Sequence, residues 1–239
     1  LSFILQRADA QKAVQSPAEF LGYELGDRFT THSRAIEYFE YISSVLPNAE
    51  LFHYGKTYEH RPLTYLVITS VDNFNELEKI RTDNLKRAGL SEGAATGKKI
   101  AIIWLSYNVH GNEASSMEAS MLTLYELANP LNTKTQQWLK NTIVIIDPCI
   151  NPDGRDRYAN FYNQYGHRPP NPHYDAWEHR EPWPGGRTNH YNFDLNRDWL
   201  VAQQPESQAR IKKFHQWKPN VLTDHHEMGT NATFFFQPG

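Results

Sequence analysis

The stretch NVHGNEAS, residues 108–115, places a histidine three positions before a glutamate. It directly follows an apolar run, IAIIWLSY, so we expect His110 at the end of a buried strand and Glu113 at the start of the next helix. Imidazole nitrogen and carboxylate oxygen are both ligands of zinc. Gly111 allows a sharp backbone turn that would bring both side chains to one point. His-x-x-Glu alone is weak evidence for a metal site, because surface turns also contain it.

A catalytic zinc site needs a third protein ligand, and LTDHHEMG offers two histidines at the end of an apolar stretch. Side chains alternate along a strand, so Asp224 and His226 should share one face while His225 points to the other. One of the two histidines is therefore a candidate ligand, and its neighbour packs or faces solvent.

Two arginines lie in the stretch GGRTNHYNFDLNRDW, residues 185–199. The planar guanidinium of Arg187 or Arg197 fits a carboxylate or a developing oxyanion. Beside a hydrolytic zinc, such groups would recognise an anionic substrate end and polarise a carbonyl. The alternative is that both arginines form surface salt bridges.

The order of apolar and amphipathic stretches predicts how these residues are positioned. Continuous apolar runs at 100–107 and 143–150 predict buried strands, and helices are expected around 31–47, 113–130 and 204–219. This alternation favours an α/β fold, in which functional groups collect at the carboxyl ends of strands. We expect residues 1–30 to be an irregular lead-in and residues 31–239 to form one domain.

Three further segments carry local predictions. NPDG, Asn151 to Gly154, predicts a turn after a strand, and Arg155 to Tyr191 predicts a long loop. We expect this loop to form one wall of a cleft and shape substrate access. The alternative is a self-packed surface loop pinned by aromatic side chains. The stretch TNATFFFQPG at 230–239 predicts another strand.

Composition narrows the class of protein. The net charge of −3 and the lack of a basic aromatic patch or phosphate-binding loop argue against a nucleic-acid partner. No apolar run approaches the roughly 18 residues of a membrane span. The single cysteine, Cys149, excludes an intrachain disulfide and is expected in the core.

In this order, NVHGNEA, NPDG, GRTNHYNFDLNRDW and DHHE resemble the motifs of the zinc carboxypeptidase family. The form Gly-Arg-x-Asn-x-x-x-x-Asp-Leu-Asn-Arg is most similar to the regulatory branch, carboxypeptidases D, E, M and N. The resemblance implies a mixed, largely parallel central sheet with helices on both faces. It also implies one zinc ion per chain, held by His110, Glu113 and His226, with His225 as the alternative third ligand.

The same resemblance implies the remaining roles at the site. Asp194 would hold the first histidine, Arg187 would stabilise the oxyanion, and Asn196 with Arg197 would bind the substrate's C-terminal carboxylate. The implied reaction is hydrolysis of a peptide or protein C-terminus by a zinc-activated water.

The family's general-base glutamate has no counterpart here, because alternation turns Glu227 away from the metal. We therefore expect the base and the C-terminal strands beyond residue 239, and little or no activity from this chain alone. The alternative function is a non-catalytic peptide- or glycan-binding module that keeps the fold. The start LSFILQRADAQ and the family's frequent export favour a secreted or periplasmic, cell-envelope location, with the cytoplasm left open.

Overall fold

The computed structural model describes residues 14–229 of the chain, which fold around one sheet. Within this range the sheet has five strands in the order β1-β2-β4-β3-β5. Their bounds are β1 Ala49–Lys56, β2 Pro62–Ile68, β3 Ala101–Ser106, β4 Thr142–Asp147 and β5 Val221–Asp224. Strand β2 pairs antiparallel with β1 and β4, whereas β3 pairs parallel with β4 and β5. The sheet is therefore mixed, as predicted.

Eight α-helices lie in the same range. They are α1 Pro17–Leu21, α2 His32–Val45, α3 Val71–Asn75, α4 Leu77–Arg87, α5 Ser115–Ala128, α6 Thr133–Leu139, α7 Pro152–Tyr165 and α8 Pro205–Trp217. Short 3-10 helices occupy Trp177–His179 and Leu195–Arg197. None of the helices described here is long and apolar enough to cross a membrane.

Helices cover both faces of the sheet, because alternate residues of the central strands are apolar on each side. Helices α2 and α5 pack on one face against Leu66 and Ile146, forming the first core. Ile80 of α4 and Trp217 of α8 pack on the other face with Trp104, forming the second core. The predicted α/β architecture with helices on both faces is confirmed.

The prediction of a turn at NPDG and a loop from Arg155 onwards is wrong for residues 152–165, which form α7. Asn151 caps this helix by accepting a hydrogen bond from the Gly154 N–H at 3.0 Å, and Pro152 occupies its first turn. Tyr158 and Tyr162 share a helix face and pack on Phe29, with ring centroids 5.5 and 4.7 Å away. Because the two tyrosines are four residues apart, both reach Phe29 from one face of the helix, and this packing stabilises it.

The lead-in is not wholly irregular, because α1 lies within residues 14–30. Ser16 and Glu19 form a reciprocal capping box at its start. Phe20 stacks on Tyr41 of α2 with ring centroids 5.3 Å apart, which ties the segment to the first core. Residues 1–13 and the strand predicted at 230–239 lie outside the described residues.

A buried histidine begins α2. His32 is 2% exposed, its Nε2 has no hydrogen-bond partner among residues 14–229, and its backbone N–H donates to Asp156 at 2.7 Å. Burial lowers the pKa of His32 to about 4, although the Asp156 carboxylate acts in the opposite direction. The histidine is therefore neutral in the fold under conditions that protonate it in the unfolded chain.

We predict that His32→Gln weakens the pH dependence of the free energy of unfolding below about pH 6.5. Between an unfolded-state pKa of about 6.5 and a folded-state value of about 4, only the unfolded chain binds the proton, so stability falls as pH drops. The wild type should lose on the order of 3 kcal/mol more than the variant over this window. Urea unfolding at several pH values measures the difference. The exposed-histidine control, His53→Gln, should keep the wild-type slope, and an unchanged slope in His32→Gln contradicts the assignment.

Candidate metal centre

The first two predicted ligands lie in a turn that follows β3. Asn108 takes the left-handed conformation there, with φ 57°, and its side-chain amide donates to the carbonyls of His110 and Glu113, both at 3.0 Å. The Ser116 hydroxyl accepts the Asn108 N–H at 3.0 Å, so the turn is fixed against α5. The sharp turn that the sequence attributed to Gly111 is therefore made by Asn108, whose short polar side chain tolerates this backbone.

Gly111 is required for a different reason, which is close backbone packing. A Cβ atom on Gly111 would lie 2.1 Å from the carbonyl carbon of Gly154, and one on Gly154 would lie 2.3 Å from the carbonyl oxygen of Gly186. Three chain segments thus meet backbone to backbone at the start of α7. The side chain of Asn151 adds a hydrogen bond to the Arg187 carbonyl at 3.2 Å. This contact brings the Arg187 loop onto the His110 turn.

Three side chains converge beyond the carboxyl ends of β3 and β5. Nδ1 of His110 lies 2.7 Å from Oε1 of Glu113, and Nδ1 of His226 lies 3.1 Å from Oε2 of the same carboxylate. The ligand atoms of the three residues all lie within 4.8 Å of one another. His110 is buried and Glu113 is half-buried, while His226 is exposed, so the group is open to solvent on one side.

His225 lies outside this group. Its ring stacks on Tyr107 with centroids 4.0 Å apart and planes 5° from parallel, and its Nδ1 is 2.9 Å from the Ser106 carbonyl oxygen. The alternation of side chains past the end of β5 sends the two neighbouring histidines to opposite sides, as the sequence suggested.

Asp194 and Arg187 complete the immediate surroundings. Oδ1 of Asp194 lies 3.0 Å from Nε2 of His110, which leaves the Nδ1 of that ring directed at Glu113. Arg187 donates to the other Asp194 oxygen at 3.0 Å and approaches Oε1 of Glu113 at 3.7 Å. The guanidinium is half-exposed and faces the open side of the group.

Hydrogen bonds between His110 and the two carboxylates govern their pKa values. Burial alone would lower the pKa of His110, but hydrogen bonds with Glu113 and Asp194 outweigh it and raise the pKa above its usual value. Burial would raise the pKa of both carboxyl groups, yet the hydrogen bonds to His110 hold them below their usual range. The two imidazoles and the Glu113 carboxylate fit the ligand set of a catalytic zinc.

The two residues predicted to bind substrate lie next to Asp194. The Asn196 N–H donates to Asp194 at 2.9 Å, and the exposed Arg197 guanidinium donates to the Asn196 carbonyl at 3.2 Å. Within residues 14–229, no hydrogen bond or ion pair joins their side chains to the three clustered ligands. The structure therefore places them beside the centre without bringing them into it.

Sequence reasoning missed two glutamates that hold the centre in place. Glu181 accepts hydrogen bonds from Asn112 at 3.0 Å and from the Gly186 N–H, which links the first ligand turn to the Arg187 loop. The Glu227 N–H donates to Glu113 at 3.0 Å, and its carboxylate accepts the Ser115 N–H at 2.7 Å at the start of α5. The sequence around these two glutamates does not predict their contacts. Alternation of side chains along a strand predicted only that Glu227 points away from the metal.

A sequence-family comparison agrees with this geometry. The chain matches the zinc carboxypeptidase family over residues 36–232, and it belongs to that family. Comparison with curated protein sequences gives no significant match.

Solved structures of carboxypeptidases share the fold at low sequence identity. Carboxypeptidase A from Helicoverpa armigera has a TM-score of 0.59 and 17% identity, covering 92% of this chain and 50% of its own. A metallo-carboxypeptidase from Burkholderia cenocepacia has a TM-score of 0.54 and 19% identity, covering 82% and 41%. The metallo-carboxypeptidase from Pseudomonas aeruginosa has a TM-score of 0.54 and 16% identity, covering 82% and 40%. This chain therefore spans half or less of the length of these three relatives.

We predict that Gly111→Ala disrupts both the fold and the centre. The new methyl group would meet backbone atoms of α7, which cannot move aside as a side chain can, so we expect a loss of about 2–3 kcal/mol or more in the free energy of unfolding. The control is Gly229→Ala, where a Cβ meets nothing within 4 Å and the change should stay within about 0.5 kcal/mol. Chemical denaturation measures both; equal stabilities would contradict the close-packing role.

Proposed function

We propose that this chain carries the metal-binding part of a zinc-dependent metallocarboxypeptidase, which hydrolyses a peptide bond next to a free C-terminal carboxylate. The observation that carries the proposal is the approach of two imidazole Nδ1 atoms, from His110 and His226, to the single carboxylate of Glu113. Membership of the zinc carboxypeptidase family supports it.

In this proposal His110, Glu113 and His226 hold one zinc ion. When bound, zinc supplies Lewis-acid chemistry that activates water for attack on a carbonyl. Asp194 fixes the tautomer of His110 through Nε2, which keeps Nδ1 available as the ligand atom. The Glu227 N–H holds the Glu113 side chain by donating to its carboxylate. The Asn108 side-chain amide holds the Glu113 backbone by donating to its carbonyl.

Arg187 is the group proposed to stabilise the oxyanion that forms on the substrate carbonyl. Its half-exposed guanidinium already lies between Asp194 and Glu113, so it reaches the open side of the centre. Asn196 and Arg197 are proposed to bind the substrate's terminal carboxylate, because they lie beside Asp194 and Arg197 faces solvent. The Pseudomonas aeruginosa relative is in complex with (2-guanidinoethylmercapto)succinic acid, a compound with two carboxyl groups.

The Gly186–Arg197 motif favours the regulatory branch of the family. The Glu227 carboxylate is engaged by Ser115, which supports leaving it out of the base role.

We predict that the chain binds one zinc ion and that His226→Ala weakens this binding about a hundredfold or more, since it removes a direct ligand. His225→Ala is the matched control and should change the affinity far less, because His225 stacks on Tyr107. Competition with a chromophoric chelator measures the affinity. Equal effects of the two substitutions, or absence of zinc binding, would refute the metal assignment.

We predict that the zinc-loaded chain binds (2-guanidinoethylmercapto)succinic acid and that Arg197→Ala weakens this binding about tenfold or more, because a charge-assisted hydrogen bond is lost. Arg34→Ala, at a half-exposed arginine of α2, is the control and should bind as the wild type does. Calorimetry measures the affinity. Peptides with free and amidated C-termini then test the substrate class: preferential binding of the free acid supports recognition of a terminal carboxylate, equal binding of the two peptides contradicts it, and hydrolysis of the free acid supports the enzyme over the binding module.

A further inference from the structure

A row of polar side chains lies where three neighbouring strands end, with Ser106 and Asp147 fully buried and Asp224 half-buried. Ser106 of β3 is paired with Asp147 of β4 on one side and with Asp224 of β5 on the other. Paired residues of parallel strands point to the same face, and here that face is the one occupied by Trp104, two residues before Ser106. The row therefore lies on the same face of the sheet as the second core, at the carboxyl ends of β3, β4 and β5.

Each member of this row has an oxygen without a hydrogen-bond partner among the described residues. These atoms are Oδ1 of Asp147, Oγ of Ser106 and Oδ1 of Asp224. Tyr54 donates to the other Asp147 oxygen at 2.8 Å, so that side of the row is closed. Buried polar atoms are almost always paired in folded proteins, and their partners are protein groups or ordered water.

A complementary group is buried on α8, which packs on the same face of the sheet as the row. Arg210 is 1% exposed, and none of its three side-chain nitrogens has a hydrogen-bond partner within residues 14–229. Its guanidinium carbon lies 3.6 Å from the centre of the Trp199 ring, which holds the group in place. Burial lowers the pKa of Arg210, while Tyr54, Asp224 and Asp147 act to raise it, so these groups lie within its electrostatic reach.

Asp224 connects this buried row to the metal centre. Its Oδ2 lies 3.3 Å from Nε2 of His226, and the Nδ1 of the same ring faces Glu113 at 3.1 Å. Asp224 therefore has one oxygen on the histidine ring and the other, Oδ1, directed into the protein without a protein partner.

We propose that Arg210 is a positioning residue for the metal centre, which holds the Asp224 carboxylate against the His226 ring from inside the core. The unpaired donors of Arg210 and the unpaired oxygens of the row satisfy one another through ordered water. A carboxylate held in this way fixes the orientation of the histidine ring and makes its Nδ1 a better ligand. The proposal rests on the proposed zinc site.

The experiment is a double-mutant cycle on the full chain, with zinc affinity as the readout. Arg210→Met keeps the length of the side chain and removes its charge; we expect about tenfold weaker zinc binding, the lower end of the effect of losing a group outside the ligand set. In an Asp224→Asn background the same substitution should add little, because the carboxylate that it holds is gone. In an Asp147→Asn background its effect should persist. Arg210→Lys should restore part of the affinity.

A general loss of stability must be separated from this coupling. Phe39→Leu removes packing in the first core, on the opposite face of the sheet, and serves as a control that destabilises the chain without contact to the row. If Phe39→Leu weakens zinc binding as much as Arg210→Met does, or if Arg210→Met acts equally with and without Asp224, the positioning role is wrong.

A second readout needs no metal. The ring 15N chemical shifts of His226 in the zinc-free chain report which nitrogen carries the proton, and Arg210→Met should shift them while Phe39→Leu should not. If the chain binds zinc but Arg210→Met changes neither the zinc affinity nor the His226 ring shifts, the positioning role is wrong and the proposed function stands. A chain that binds no zinc overturns the proposed function, and the spectrum then decides the inference by itself.

Discussion

The backbone contact at Gly154 is the constraint on which the rest of the centre depends. The start of α7 is packed against Gly111 on one side and Gly186 on the other, with no room for a Cβ between them. Because Asn151 caps the same helix turn and also binds the Arg187 carbonyl, three distant segments are fixed at once. The positions of the clustered side chains are therefore set mainly by the main chain, which leaves those side chains free for chemistry.

Charged groups extend from this backbone framework into both cores. On one side, the buried Arg155 pairs with Glu118 at 2.6 Å and donates to the carbonyl of Ala114, next to Glu113. On the other side, Asp224 contacts His226 and turns its second oxygen toward the interior. An open, exposed centre is thus supported by buried polar groups from both faces of the sheet, where the low dielectric makes each charge pair strong and each unpaired group costly.

The sequence predicted the parts of the structure that local pattern controls. Apolar runs identified β3 and β4, and the alternation after β5 separated His225 from His226. It failed where long-range contacts decide the outcome. Helix α7 is stabilised by packing of its tyrosines on Phe29, from a segment predicted to be irregular. Position 111 must be glycine because the backbone of Gly154, about forty positions away in the chain, packs against it. Glu181 binds Asn112, which is 69 positions away. Such pairings have no signature in a single sequence.

The separation of the clustered residues along the chain has a consequence for folding. His110 and Glu113 are three positions apart, whereas His226 is 113 positions from Glu113. An unfolded chain can therefore offer a cation only the local pair, since closing so long a loop costs conformational entropy. A cation that uses all three groups binds the folded chain selectively, so its binding free energy adds to stability. Strand β5, which directly precedes the two histidines, is only four residues long. Among the strands of residues 14–229 it has the fewest paired residues, so the binding of a cation would mainly stabilise this strand.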